Sequence, residues 1–231
     1  MTARVLVAGA NGRTGRHVLR YLDETEYEAV AATRDDAAAD AVRDYGADAV
    51  RVGDLLVDGD PERLVADCTH VVAAVGAGPG LDALLGRPLV DGAGVAALAR
   101  AAAAEGVQRV SLVSSVGVGD SSSGMALPLR VLLWPVLRAK ARGEAALRDA
   151  DVTHAIVRPG ALTDAPATND VVVGEGGESV SGSIPRADVA RLLVAALDTP
   201  GAWNRTLEAV ARDGLRGDPE GVVSIGWVWP D

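Results

Sequence analysis

Three glycines constrain this chain more than any other feature. Gly9, Gly12 and Gly15 stand in the spacing G-x-x-G-x-x-G directly after the apolar run Arg4-Val5-Leu6-Val7-Ala8. They directly precede Arg16-His17-Val18-Leu19-Arg20-Tyr21-Leu22, where Val18, Leu19, Tyr21 and Leu22 recur at helical spacing. The reading is strand, tight turn, helix. Glycine at such a turn permits positive φ and lets the backbone approach a ligand with no Cβ in the way. Backbone N–H groups and a partial positive charge at the helix start then face an anion. A dinucleotide held by its pyrophosphate is what this arrangement predicts, with Gly9, Asn11, Gly12, Arg13, Thr14 and Gly15 around it.

The rest of the chain repeats the alternation. Strands are predicted at Glu28 to Thr33, Ala49 to Val52, Val71 to Val75, Arg109 to Val113 and Thr153 to Val157. Helical stretches fall at Asp36 to Tyr45, after Pro61, at Val95 to Glu105, at about Val136 to Asp149, and from Pro185 and Asp188 to Leu197. Each strand is near-continuously apolar rather than alternating, as expected when a parallel sheet is covered on both faces. The predicted fold class is therefore α/β, a doubly wound parallel sheet with helices on both faces. Gly76-Ala77-Gly78-Pro79-Gly80 reads as a flexible strand tip, and Ala165 to Gly182, rich in Gly, Ser, Asp and Glu, as a long mobile loop. Neither a repeat nor a linker divides the sequence, so 1–231 reads as one domain whose part from about 159 to 231 supplies the substrate side.

Composition narrows the function classes. The formal charge is -10, from 32 Asp plus Glu against 22 Lys plus Arg, which opposes the counterion-release attraction that drives binding to nucleic acid or anionic lipid. Neither nucleic acid nor membrane is an expected partner. No apolar run reaches membrane-spanning length, Met1 to Arg4 leads straight into a strand, and the single Cys68 cannot form an internal disulfide, so a cytoplasmic protein is expected. His17, His70, His154 and Cys68 have no partner at metal-ligand spacing, and no metal is expected. The acidic excess, with Arg used in place of Lys and no Phe, suggests a salt-loving, high-GC source.

Cofactor type is read at the end of the second strand. A carboxylate there binds the ribose 2′-hydroxyl of NAD, whereas an Arg pairs with the 2′-phosphate of NADP. The residues are Thr33-Arg34, with Arg13 as a second cation, so NADP is preferred and NAD stays possible. Asp35 and Asp36 read as helix-capping residues.

At this point several segments together resemble a known family. Val5 to Arg16, Gly53-Asp54-Leu55, Gly106-Val107-Gln108-Arg109-Val110-Ser111-Leu112-Val113-Ser114-Ser115 and Ile156-Val157-Arg158-Pro159-Gly160-Ala161-Leu162-Thr163 are similar to the atypical short-chain dehydrogenase/reductase proteins. The branch they resemble is the NAD(P)H-binding group with NmrA-like and biliverdin reductase B/flavin reductase-like members. The resemblance runs from Arg4 to about Leu207. It implies a Rossmann-type fold with Asp54 and Leu55 beside the adenine, Ala74, Val75 and Gly76 along the cofactor, and Ser114, Ser115, Arg158, Pro159 and Gly160 near the nicotinamide.

It also implies a gap. Catalytic members of the wider superfamily carry a Tyr that moves the proton, a Lys four residues later that lowers the Tyr pKa and binds ribose, and a Ser that polarises the carbonyl. Here the aligned segment is Val136-Leu137-Arg138-Ala139-Lys140, so an isopropyl group replaces the phenol. Lys140 nevertheless stands at the ribose-binding position, and it is the chain's one lysine. Ser115 and Lys140 are the candidate catalytic residues. Trp134 and Pro135 either wall the nicotinamide side or belong to the core with Leu132 and Leu133. Arg158 either reaches an anionic substrate or pairs with an Asp, and Trp203, Trp227 and Trp229 look too scattered to stack.

The expected activity is reduction by NADPH of a flavin, quinone or similar conjugated acceptor that needs no enzyme-bound Tyr acid. The alternative is a non-catalytic NADP(H) sensor that contacts another protein, as NmrA-like relatives do. A nucleotide-sugar epimerase or dehydratase is disfavoured by the missing Tyr. The partner is accordingly a small-molecule acceptor or a protein, with the chain a monomer or homodimer.

Overall fold

The computed structural model describes residues 2–77, 85, 87–121, 127–177 and 179–230, with the side chains of 127–132 excepted. Its main sheet has eight strands in the order β3-β2-β1-β4-β5-β6-β10-β8. These are β1 (Arg4–Ala8), β2 (Glu28–Thr33), β3 (Ala49–Val52), β4 (His70–Ala73), β5 (Arg109–Val113), β6 (Thr153–Pro159), β8 (Val171–Gly174) and β10 (Arg205–Ala211). All neighbours pair in parallel except β8 with β10. A separate parallel pair joins β7 (Ala161–Thr163) to β9 (Ser183–Pro185). The helices are α1 (Arg13–Asp23), α2 (Ala39–Arg43), α3 (Asp60–Val65), α4 (Val95–Ala104), α5 (Leu127–Asp149) and α6 (Arg186–Asp198). This is the Rossmann-like α/β sheet that the apolar runs predicted.

Pleating sorts each strand between two cores. Val5 and Val7 of β1 face Val18, Leu19 and Leu22 of α1 and the apolar face of α6. Leu6 and Ala8 face the opposite way, toward Leu64 of α3, Leu98 of α4 and Leu147 of α5. Because both faces are buried, every residue of Val5 to Ala8 must be apolar, which is why the run is continuous. The C-terminal tail adds to the first core: Val223, Ile225, Trp227 and Trp229 pack against it in alternation.

Several expectations need correction. The stretch Ala165 to Gly182 is not one long loop: Val171–Gly174 forms the antiparallel edge strand β8. The polar residues on either side are tied down by buried carboxylates. Asp188 accepts from the Thr168 and Asn169 N–H groups at 2.9 Å, and Glu208 from the Ser179 N–H and hydroxyl at 2.7 Å. The tail then covers the outer edge of β8, with Val223 N–H donating to the Val173 carbonyl at 3.0 Å. Helix α5 starts at Leu127 rather than about Val136, with Pro135 in its interior. Trp227 and Trp229 are not scattered but meet with ring centroids 5.4 Å apart. Residues 78–80 of the predicted strand tip lie outside the described residues.

Candidate functional site

The strand order reverses between β1 and β4, since the chain passes from β1 to β2 and β3 on one side and returns to β4 on the other. In open α/β sheets, such a switch point leaves a crevice at the carboxyl ends of the strands. Register carries the strand ends to one rim, with Ala8 level with both Ala32 and Ala73. A cleft of about 620 Å³ opens there. Its wall comes from β1 and the turn (Gly9, Asn11, Gly12), from the end of β2 (Thr33, Arg34, Asp35), from Asp54 and Leu55 beyond β3, and from Ala74, Val75 and Gly76 beyond β4.

The glycine turn is shaped by backbone contact. Gly9 has φ +81°, and a Cβ on it would stand 2.6 Å from the Ala74 carbonyl oxygen. A Cβ on Gly15 would stand 2.2 Å from the Gly9 oxygen. Both contacts are impossible for a side chain, so these positions admit glycine alone at this geometry. Gly12 N–H donates to the Gly9 carbonyl at 2.9 Å, closing the turn, and Gly12 then caps α1 with no side chain over the helix start. The first N–H groups of α1 are left for a ligand.

Charge within the cleft is unequally spent. Asp35 caps the following turn by accepting the Ala37 N–H at 2.9 Å, and Asp54 accepts the Leu56 N–H at 2.9 Å. Arg34 is exposed on the cleft wall and makes no hydrogen bond or ion pair to a described residue. Arg13, predicted as a second cation, does not line the cleft. It pairs with Asp164 at 2.8 Å, and Arg186 holds the other oxygen of the same carboxylate at 2.6 Å. Thr14 and Gly15 are buried behind the turn.

Ser114, Ser115, Lys140, Pro159 and Gly160 lie outside the cleft lining, around the ends of β5 and β6 and on α5. Lys140 Nζ stands 2.7 Å from Asp91 Oδ1. Val136, at the Tyr position, is buried. Ser115 gives its hydroxyl proton to the Val116 carbonyl at 2.8 Å. Trp134 is 54% exposed on α5, with Arg138 over its ring, so it is not part of the core.

The sequence reading missed the centre of this region, Glu144. This carboxylate is buried and accepts from Ser114 Oγ at 2.5 Å, from Arg158 Nε at 3.0 Å and Arg158 Nη2 at 2.8 Å, and from Arg148 at 2.7 Å. Burial works against its charge, but the bonds and charge of Arg158, with Ser114 and Arg148 behind them, outweigh burial and hold the carboxyl below its usual range. Arg158 also reaches Asp120 and Ser121. Burial disfavours its charge too, yet Glu144 and Asp120 keep the guanidinium more firmly protonated than usual. Arg158 is thus spent within the protein and is not an anion receptor. The one available signal was the four-residue spacing from Lys140 to Glu144, which puts both on the inner face of α5.

A family model described as NAD(P)H-binding matches residues 9–200, which spans the turn, the cleft and the Glu144 hub. The chain belongs to this NAD(P)H-binding family. An uncharacterized chloroplastic protein of Arabidopsis thaliana is 31% identical over 218 residues, covering 91% of this chain and 78% of that protein. Among solved structures, a Bacillus halodurans protein named "Putative NAD-dependent epimerase/dehydratase" is 31% identical with a TM-score of 0.80, covering 94% of this chain and 96% of its own. ChuY, an anaerobillin reductase of Escherichia coli O157:H7, shares the fold at a TM-score of 0.80 and 22% identity, over 93% of this chain and 100% of its own. The solved structures similar to this NAD(P)H-binding chain fall in the atypical short-chain dehydrogenase/reductase, NAD-dependent epimerase-like branch that the motifs resembled.

Proposed function

We propose that this protein is an NADPH-dependent reductase of a flavin, quinone or similar conjugated acceptor. The observation that carries the cofactor preference is Arg34, a guanidinium on the wall of the cleft with no acid partner among the described residues, while the neighbouring Asp35 is engaged in capping. A 2′-phosphate supplies the missing anion, and guanidinium suits it through paired N–H donors. The cleft fits the rest of the dinucleotide. The glycine turn lets a pyrophosphate approach closely, and the uncapped start of α1 presents N–H groups to it. Asp54 and Leu55 flank the adenine, and Ala74, Val75 and Gly76 run alongside. Reduced nicotinamide, when bound, supplies a hydride.

What the protein's own side chains do argues for the acceptor class. Val136 has no proton to give. The Ser114 hydroxyl is committed to Glu144, the Ser115 hydroxyl to the Val116 carbonyl, and Arg158 to Glu144 and Asp120. With these donors spent, the residues position and shield, and the acceptor takes its proton from solvent. A conjugated acceptor tolerates this because its own π system spreads the incoming charge. The reductase activity in ChuY's name is in keeping with this reading, and the epimerase name of the Bacillus halodurans relative calls for a proton-moving group that Val136 does not supply.

The test is spectrophotometric. Protein is mixed with NADPH and a panel of flavins and quinones, and the nicotinamide band is followed. Loss of the band in step with acceptor reduction is expected. Tight NADPH binding without turnover across the panel would overturn the reductase assignment and leave an NADP(H)-sensing protein.

A further inference from the structure

We infer that Asp91 is a positioning residue of the dinucleotide site, holding Lys140 so that its ammonium serves the hydroxyls of the ribose next to the nicotinamide. The inference rests on the NADP(H) reading above and adds to it a residue that no motif marks. Asp91 lies in a π-helical turn, Val90–Gly94, that leads into α4. π-Turns of this kind are rare and gather at functional positions.

The carboxylate of Asp91 has no solvent exposure and does two jobs. Oδ2 accepts the Ala77 N–H at 2.6 Å, which fixes the chain just beyond β4 where Gly76 and Ala77 line the cleft. Oδ1 faces Lys140 Nζ at 2.7 Å, out of line for a hydrogen bond, so this contact is chiefly Coulombic. Lys140 makes no other hydrogen bond or ion pair to a described residue, and its side chain is only 14% exposed. The ammonium is therefore balanced in charge but rich in unspent N–H donors. An anion would meet Asp91 beside it and gain little. Neutral hydroxyl oxygens, which need donors and no net charge, suit the pair.

The backbone is built to hold this contact. A Cβ at Gly143 of α5 would stand 2.2 Å from the Asp91 carbonyl oxygen, and one at Gly92 would stand 2.9 Å from the Ala139 carbonyl oxygen. Two glycines facing each other thus let α5 press directly on the π-turn, and the side chains one turn of α5 earlier and one residue earlier in the π-turn, Lys140 and Asp91, are brought together.

The experiment compares two ligands on each variant: NADPH, which carries the second ribose, and adenosine 2′,5′-bisphosphate, which stops short of it. In Asp91→Asn the NADPH dissociation constant is expected to rise about tenfold, equivalent to ~1.4 kcal/mol, while that of the bisphosphate moves less than about threefold. Lys140→Met should give the same split, and the double variant should lose no more than either alone, because both act through one contact. Should Asp91→Asn not fold, Lys140→Met and Lys140→Arg carry the same comparison, with Arg expected to retain the pair and recover part of the NADPH affinity. Equal loss of both ligands would make the pair merely structural and overturn the inference, as would unchanged affinity for both. Failure of the wild-type protein to bind NADPH at all would overturn the NADP(H) reading instead.

Discussion

Replacing Glu144 with Gln keeps the shape of the hub and deletes its charge. Arg158 is 4% exposed, so the variant leaves a buried guanidinium with Asp120, itself 63% exposed at the side chain, as its remaining acid. Breaking a buried ion pair from one side costs roughly 3–5 kcal/mol. Because Asp120 and Ser121 still hold Arg158 Nη1, the lower figure of about 3 kcal/mol applies. For a chain of this length each kcal/mol moves the melting temperature by roughly 2–4 °C, so a fall of about 6–12 °C is expected. Urea and thermal unfolding followed by circular dichroism measure both. The double variant Glu144→Gln/Arg158→Met, with neither charge buried, should recover most of the loss. Glu144 also sets a pH dependence. Its folded pKa lies below its unfolded one, so it stabilises the fold above the ordinary Glu range and that contribution disappears as pH falls through the folded pKa. Wild-type and Glu144→Gln stabilities should therefore begin to converge as pH falls below the ordinary Glu range and meet only once pH is below the folded pKa of Glu144. A loss under about 1 kcal/mol at neutral pH, the size of a surface pair, or parallel pH curves would refute the claim that this carboxylate is charged and central.

Two further perturbations probe other parts of the account. Gly15→Ala places a Cβ against the Gly9 oxygen and the Ala10 backbone, so the turn must shift; calorimetric titration should show NADPH binding weakened at least about tenfold, ~1.4 kcal/mol, with the circular dichroism of the fold kept. Truncation after Gly221 strips Val223, Ile225, Trp227 and Trp229 from the first core and uncovers β8. It should cost about 3 kcal/mol or more in urea unfolding and remove the near-ultraviolet signal of the Trp227–Trp229 contact.

The parallel core was legible because strands buried on both faces cannot alternate. Val5 to Ala8 and Val71 to Val75 announce themselves as apolar runs, and the turn at Gly9 to Gly15 marks where the site must open. Edge strand β8 was not legible, because Val171 to Val173 sits in a polar stretch whose order comes from carboxylates distant in sequence, Asp188 and Glu208. The helix expected from about Val136 begins at Leu127 instead, and α5 carries Pro135 in its interior. At the site, Arg34 could be read from its place after β2, whereas Asp91 and Glu144 could not. A buried carboxylate looks like any surface one until its partners are known, and the partners of Glu144 come from the residue just beyond β5 and from β6 as well as α5 itself. The one lysine could be singled out from the sequence, but its partner was invisible because Asp91 meets it only through helix packing.

We propose that the cleft at the β1–β4 switch point selects NADPH through Arg34. Side-by-side calorimetric titrations of wild-type protein and Arg34→Asp with NADPH and NADH test it most directly. A charge-assisted bond to phosphate contributes about 1.5–3 kcal/mol, so wild-type protein should favour NADPH by roughly ten- to a hundredfold, and Arg34→Asp should abolish that preference while leaving NADH binding nearly unchanged. Equal affinity of wild-type protein for the two cofactors, or an equal effect of the substitution on both, would contradict the account.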